Sequence, residues 1–193
     1  MTIAKPSKQQ VEEYLKRWDS LESYVYQESS LKKLFTKIYP ENTDLDDVLI
    51  KVCALNDFYS TNIFSPFTVA KHIVNLKIDE KLSQKDLDLV NEIAYISVPK
   101  GRKINFYSFA TKYCSHHMPT VYPIYDSYVE KLLMYFKKKD KFAEFKRIDL
   151  KNYQKYHGIL LEFRNFYDLN DFNLKEIDKY LWQLGKISFP KIY

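Results

Sequence analysis

The residues best suited to chemistry lie between Phe106 and Val129, FYSFATKYCSHHMPTVYPIYDSYV, where a helical stretch, a proline-bracketed loop and Asp126 follow in close order. Asp126 stands where a new helix should begin. A carboxylate at a helix N-terminus is held by backbone amides and the positive end of the helix dipole, which favours its ionised form. Such a charge can stabilise an oxocarbenium-like sugar as a bond to its anomeric carbon breaks, or activate a nearby amine or water. The plainer role is capping, since Asp is among the commonest N-caps.

His116, His117 and Cys114 form the other compact group of reactive side chains. Neighbouring helical residues point about 100° apart, so the two histidines do not share a metal ion while the helix persists. His117 falls on an apolar stripe as a hydrogen-bonded core residue, and His116 is expected to be more exposed. His72 and His157 read as structural. The glycines Gly101, Gly158 and Gly185 are too scattered for a phosphate-binding loop, no Gly-x-Ser-x-Gly elbow is present, and no metal, nucleotide or other cofactor is expected.

The elements that must position Asp126 are helical. Ser7 starts a stripe through Val11, Tyr14, Leu15 and Trp18, and Ser30 opens a second helix that Pro40 stops. Thr43 with Asp46 precedes a third, through Val48, Val52 and Leu55. Ser65–Pro66 opens a fourth, and Ser83 with Asp86 leads into Leu89, Val90 and Ile93. After Pro99, Lys100 and Gly101, Asn105 caps a helix to about His117. Pro119 and Pro123 then prevent its continuation before Asp126. Asp149 opens a long helix to about Tyr167, and Asn173 with Glu176 makes a capping box for the last one, which Gly185 ends. The pattern predicts an all-α fold of eight to ten short helices, as one domain spanning residues 1–193. Two small lobes flanking a groove, the second containing residues 99–129, are the favoured arrangement.

The chain of 193 residues has a hydrophobic share of 46% and mixed charges, which excludes disorder. No uncharged apolar run reaches the roughly 20 residues that a bilayer span needs. Charges interrupt every apolar cluster near the start, so no secretory signal is read there. Cys53 and Cys114 are far apart and expected to be reduced, and the reading places the protein in the cytoplasm, with no membrane partner. The net charge of +5 is concentrated between Lys131 and Lys155, where Lys137, Lys138, Lys139, Lys141, Lys146, Arg147 and Lys151 outnumber the acids. A basic edge can meet a polyanion or can simply be a solvated helix end.

The stretch from Pro99 to Val129 resembles the helix–hairpin–helix DNA glycosylase superfamily, in particular its 8-oxoguanine glycosylase-like branch. In that superfamily a hairpin grips the DNA backbone through main-chain amides, a helix follows, and a Pro-containing loop delivers an essential aspartate. The resemblance implies DNA as partner, with Lys100, Gly101 and Arg102 at the backbone-gripping turn, Lys112 as a further DNA contact, and Asp126 as the catalytic carboxylate. Lys103 stands where the branch's Schiff-base lysine would fall if the hairpin is shifted; without that amine, water is the nucleophile. The segment from Leu49 to Ile73 resembles the helix–loop–helix whose polar loop residue probes the duplex, with Asn62 in that place. Trp182 and His116 would wall the pocket for a base turned out of the stack. The alternative is a non-enzymatic helical module that binds nucleic acid or protein.

Overall fold

The computed structural model describes residues 3–98 and 102–190, leaving out the side chains of Val98 and Arg102. It is 69% helical, with ten α-helices and one two-stranded sheet among the described residues, so the fold is all-α. Contacts divide it into a unit of residues Ser23–Ile124 and a terminal unit of Met1–Glu22 with Tyr125–Tyr193. Residues 99–129 therefore run across a boundary between units.

The 23–124 unit carries α2 (Glu22–Lys33), whose end continues into a π-helical turn over Leu34–Ile38, then α3 (Leu45–Tyr59), α4 (Pro66–Leu76), α5 (Ile78–Ser83) and α6 (Leu89–Ala94). Asp44, not Thr43, caps α3, its carboxylate accepting from the amides of Asp46 and Asp47. On either side of the break expected at Pro99, Lys100 and Gly101, where only helices were read, β1 (Tyr95–Val98) pairs antiparallel with β2 (Arg102–Asn105). Ile96 opposes Ile104 on the inward face, while exposed Ser97 opposes exposed Lys103. Because Asn105 is paired with Tyr95, it does not cap the next helix; α7 (Tyr107–His117) begins after Phe106 with no side-chain cap.

The sequence suggests a stripe on α7, but every residue from Phe109 to His116 is buried. A helix covered on all sides is the centre of its unit. Phe35, Val52, Leu55, Ile73, Val90 and Ile93 are among the residues that complete this core.

The terminal unit contains α1 (Lys8–Asp19), α8 (Ser127–Asp140), a 3₁₀ turn (Arg147–Lys151), α9 (Tyr153–Phe166) and α10 (Leu174–Ser188). Asp149 does not open α9 but lies within the 3₁₀ turn, accepting from the Lys146 amide; Asn152 caps α9 by accepting from the Lys155 amide. The Asn173–Glu176 capping box is formed. α10 packs on both α1 and α8. Tyr14 meets Tyr180 edge-on with ring centroids 5.4 Å apart, and Gln183 donates to the Tyr14 carbonyl at 2.8 Å.

Gly185 does not end α10, which runs on to Ser188. Its role is proximity: a Cβ there would lie 2.7 Å from Tyr128 Cβ and 2.9 Å from the Tyr128 carbonyl oxygen. Gly158 in α9 has nothing within 4 Å of the same position. Alanine gains about 1 kcal/mol over glycine in a helix interior, whereas overpacking costs about 1–3 kcal/mol. Gly158→Ala should therefore raise the unfolding free energy by up to about 1 kcal/mol, and Gly185→Ala should lower it by about 1–2 kcal/mol, in parallel urea titrations.

Candidate functional site

Asp126 adopts extended backbone at the N-cap of α8, and its Oδ1 accepts from the Tyr128 amide at 2.7 Å. The residue is half-buried. One helical turn on, Glu130 sits in a cluster that sequence reasoning missed. Its carboxylate accepts a short hydrogen bond from the Tyr125 hydroxyl. Arg147 Nε and Lys151 Nζ each approach it at 3.7 Å. Lys151 also donates to the Tyr125 hydroxyl at 2.5 Å and lies 4.0 Å from that ring's centroid. The signal was available: Glu130 is four residues after Asp126, hence on the same helix face.

Trp182, expected as a pocket wall, is half-buried and packs edge-on against Trp18 with centroids 5.9 Å apart. Lys186 lies 4.9 Å over the Trp182 ring and Lys179 lies 4.7 Å over Trp18. The pair joins α1 to α10.

The remaining candidates are in the 23–124 unit. Asn62 is exposed in the α3–α4 loop with φ 58°, a left-handed conformation that Asn tolerates. Phe64, two residues on, is 97% exposed. Lys103 projects from the outward face of β2, while Lys100 and Gly101 lie outside the described residues, as does the Arg102 side chain.

Lys112, a DNA contact by the resemblance, does not stand on the surface. It is buried, donates to the Ser108 hydroxyl at 2.5 Å and lies 5.2 Å over the Tyr59 ring. His116, expected to be the more exposed histidine, is buried with Nε2 3.0 Å from the Tyr59 hydroxyl. Both corrections have one cause: Tyr59 at the end of α3 covers the last turns of α7, so a charged and a polar side chain fold onto its ring and hydroxyl.

A second polar group, also missed, lies deep in this unit. Lys51 is fully buried and donates to the carbonyls of Tyr39 (3.0 Å) and Glu41 (2.8 Å) and to Asn42 Oδ1 (2.7 Å). Asn42 Oδ1 also accepts from the Tyr113 hydroxyl at 2.6 Å and meets His117 Nε2 at 3.2 Å. Asn42 Nδ2 and its backbone amide donate to the Asp79 carboxylate at 2.5 and 2.9 Å, which fixes the orientation of the amide. Burial lowers the Lys51 ammonium to about 8, opposed by the charges of Asp79 and Asp47. Burial lowers His117 to about 3, helped by the Lys51 charge and His116. A neutral His117 thus donates from Nε2. The clue in the sequence was a lysine on the apolar face of Val48, Val52 and Leu55.

His72 Nε2 is 2.9 Å from the Glu92 carbonyl, tying α4 to α6. Among the described residues, no group of three His, Cys, Asp or Glu side chains could hold a metal, and Cys53 and Cys114 are unpaired thiols. No helix of the described residues is long and apolar enough to cross a membrane.

Residues 10–121 match the N-terminal domain profile of HI_0787_N. The chain belongs to the HI_0787_N family. It is also 51% identical over 152 residues to an uncharacterized protein of Haemophilus influenzae, an overlap of 78% of this chain and 72% of that protein. No solved structure matches it. The HI_0787_N domain ends close to Ile124, where the 23–124 unit ends, but starts inside α1. The Haemophilus overlap is longer than that domain. An unbroken stretch of such length includes the middle of the chain wherever it begins, so it spans Asp126 and α8 as well.

His117 gives a pH test of the buried network. The folded ring resists protonation down to about 3, while the unfolded ring takes up a proton below about 6.5. In that window the unfolded state holds more protons, so stability falls as pH falls, by up to about 1.4 kcal/mol per pH unit. Urea titrations between these limits should show His117→Gln losing less stability on acidification than the wild type. Equal slopes would remove the histidine from the network.

Proposed function

We propose that the protein binds DNA and hydrolyses the N-glycosidic bond of a damaged base turned out of the duplex, with Asp126 as the catalytic carboxylate. The observation that carries this reading is Asp126 itself, half-buried at the N-cap of α8, three residues after Pro123 in the chain, with its charge at the positive end of the helix. The resemblance to the glycosylase superfamily rests on the same segment.

The C1′–N bond breaks with its electron pair leaving on the base nitrogen, and positive charge develops on the sugar. Asp126 stabilises that charge. Water adds its oxygen to C1′, and its proton goes to the departing base. Lys112 is occupied by Ser108 and Tyr59 and Lys103 stands on an exposed strand face, which favours water over an amine as nucleophile and base release without strand cleavage. Asn62, at the exposed loop tip, would probe the duplex, and the 102–103 strand end would follow the backbone. Two unpaired thiols suit a reducing cytoplasm.

A non-enzymatic nucleic-acid or protein-binding module is the second reading, favoured by the hydrogen bond that employs Asp126 Oδ1 as a cap.

A panel of duplexes, each with one damaged base, separates the two when free base and cut strand are measured independently. The enzymatic reading expects free base from at least one duplex and no strand cleavage. Asp126→Asn should lower that rate by about 10²–10³ yet keep stability within about 0.5 kcal/mol, because Asn caps as well as Asp. Asp126→Ala should lose the rate and about 1 kcal/mol together. Unchanged base release in Asp126→Asn, or no release across the panel, would leave the binding module.

A further inference from the structure

α8 presents Lys131, Met134, Tyr135 and Lys138 at spacings of three, four and seven, which places them on one helix face. That face lines a cavity of about 560 Å³, completed by Lys137, Arg147 and Phe189. The volume is in the range of small-molecule sites, in a concavity that is largely open to solvent. Asp126 is not part of its wall.

The wall contains four cations and no carboxylate. Some of that charge is already answered: Lys137 donates a short hydrogen bond to the Phe145 carbonyl and lies 3.7 Å from Glu144, and Arg147 Nε is 3.7 Å from Glu130. Lys131, 5.8 Å over the Phe189 ring, and Lys138 are exposed, and the Arg147 side chain is 66% exposed. Like charges converging on one concavity repel unless an anion enters. Tyr135 is held in place, its hydroxyl accepting from the Ile3 amide at 3.0 Å and its ring edge-on to Phe136 at 5.2 Å. A fixed ring, with Met134 and Phe189 beside it, makes an apolar wall next to an anion-binding rim.

We propose that this cavity binds a nucleotide, with its phosphate on Lys131, Lys138 and Arg147 and its base against Tyr135, Met134 and Phe189. Guanidinium and ammonium groups suit phosphate oxygens, and any base can stack on an aromatic face. Peptides taken up by strand addition or as an amphipathic helix need a sheet edge or a long apolar groove, and the wall here is made of neither. The nucleotide is either free or one unit of a strand. The site is separate from the Asp126 chemistry and stands or falls independently of it.

The test is fluorescence anisotropy of the full chain with a fluorescein-labelled short oligothymidylate at low salt, followed by competition with unlabelled oligothymidylate, thymidine monophosphate and inorganic phosphate. The wild type should bind, with affinity falling steeply as salt rises. The double variant Lys138→Glu with Arg147→Glu should weaken binding about tenfold or more, Phe189→Ala about threefold or more, and Lys32→Glu on α2 less than about twofold. Both altered cations are exposed, so circular dichroism should match the wild type, but Arg147→Glu sets a second carboxylate beside Glu130 and should lower thermal stability; if the charge reversals unfold the chain, the Lys138→Gln and Arg147→Gln pair is read in their place. Displacement by the monophosphate supports a free nucleotide, and displacement by the oligomer alone supports a strand. Absence of binding, unaltered affinity in the cation variants, or displacement by inorganic phosphate as effective as by the monophosphate overturns the proposal. Undamaged thymidines are used, so a protein that releases no base can still pass.

Discussion

Gly185 against Tyr128 is the contact on which the terminal unit's candidate side chains depend. With no side chain at 185, α10 approaches the first turn of α8 at backbone distance. That turn carries the Asp126 cap and Glu130, and the remainder of the helix forms the cavity face. A shift of α8 away from α10 would move all three together. The tyrosine pair and the tryptophan pair tie α10 to α1 as well, so the helix is held by two neighbours.

In the 23–124 unit the equivalent constraint is polar. A buried ammonium is tolerable only when its hydrogen bonds are satisfied. Lys51 meets that demand by gathering the carbonyls of Tyr39 and Glu41 and the side chain of Asn42, and so pins the segment after the π-helical turn to α3. Asn42 passes the constraint on to Tyr113 and His117 of α7 and to Asp79 of α5. Three helices and a loop are thereby registered through one amide side chain. A methionine in place of Lys51 would fill much of the space but take this donor from the carbonyls of Tyr39 and Glu41, while Asn42 Oδ1 would keep Tyr113.

The helices were legible where the cap and the apolar period agree: Ser7, Ser65–Pro66, Asp126 and the Asn173–Glu176 box each mark an observed start. The β-hairpin was not, because four-residue strands such as Tyr95–Val98 offer two alternations at most, and their pairing is settled by the Ile96–Ile104 contact with the core. His116 and Lys112 were misplaced for a related reason. Periodicity assigns a helix one buried face, whereas α7 is enclosed on all sides and its polar residues must find partners inside. Lys51 shows the converse: a cation inside an apolar stripe was visible, and its meaning was a buried network. For Asp126, the sequence located the cap, and the hydrogen bond to Tyr128 is local enough to follow from it. The cavity is less local, since Phe189 and Arg147 arrive from other elements.

The charges of α8 sort by what each one satisfies. Cations in the last turn complement the negative end of the helix dipole, which by itself accounts for lysines at 137, 138 and 139. Two of them have further structural tasks: Lys137 holds the Phe145 carbonyl, and Lys139 donates to the Ile3 carbonyl at 2.7 Å while lying 5.6 Å over Tyr135. Dipole complementation does not reach Lys131, in the first half of the helix, nor Arg147, which is off it. Both nevertheless line the same concavity as Lys138. Helix stability would be served as well by cations dispersed around the end of α8. Their convergence with a positioned aromatic ring is what a helix end does not require and an anionic ligand with a flat, apolar part does.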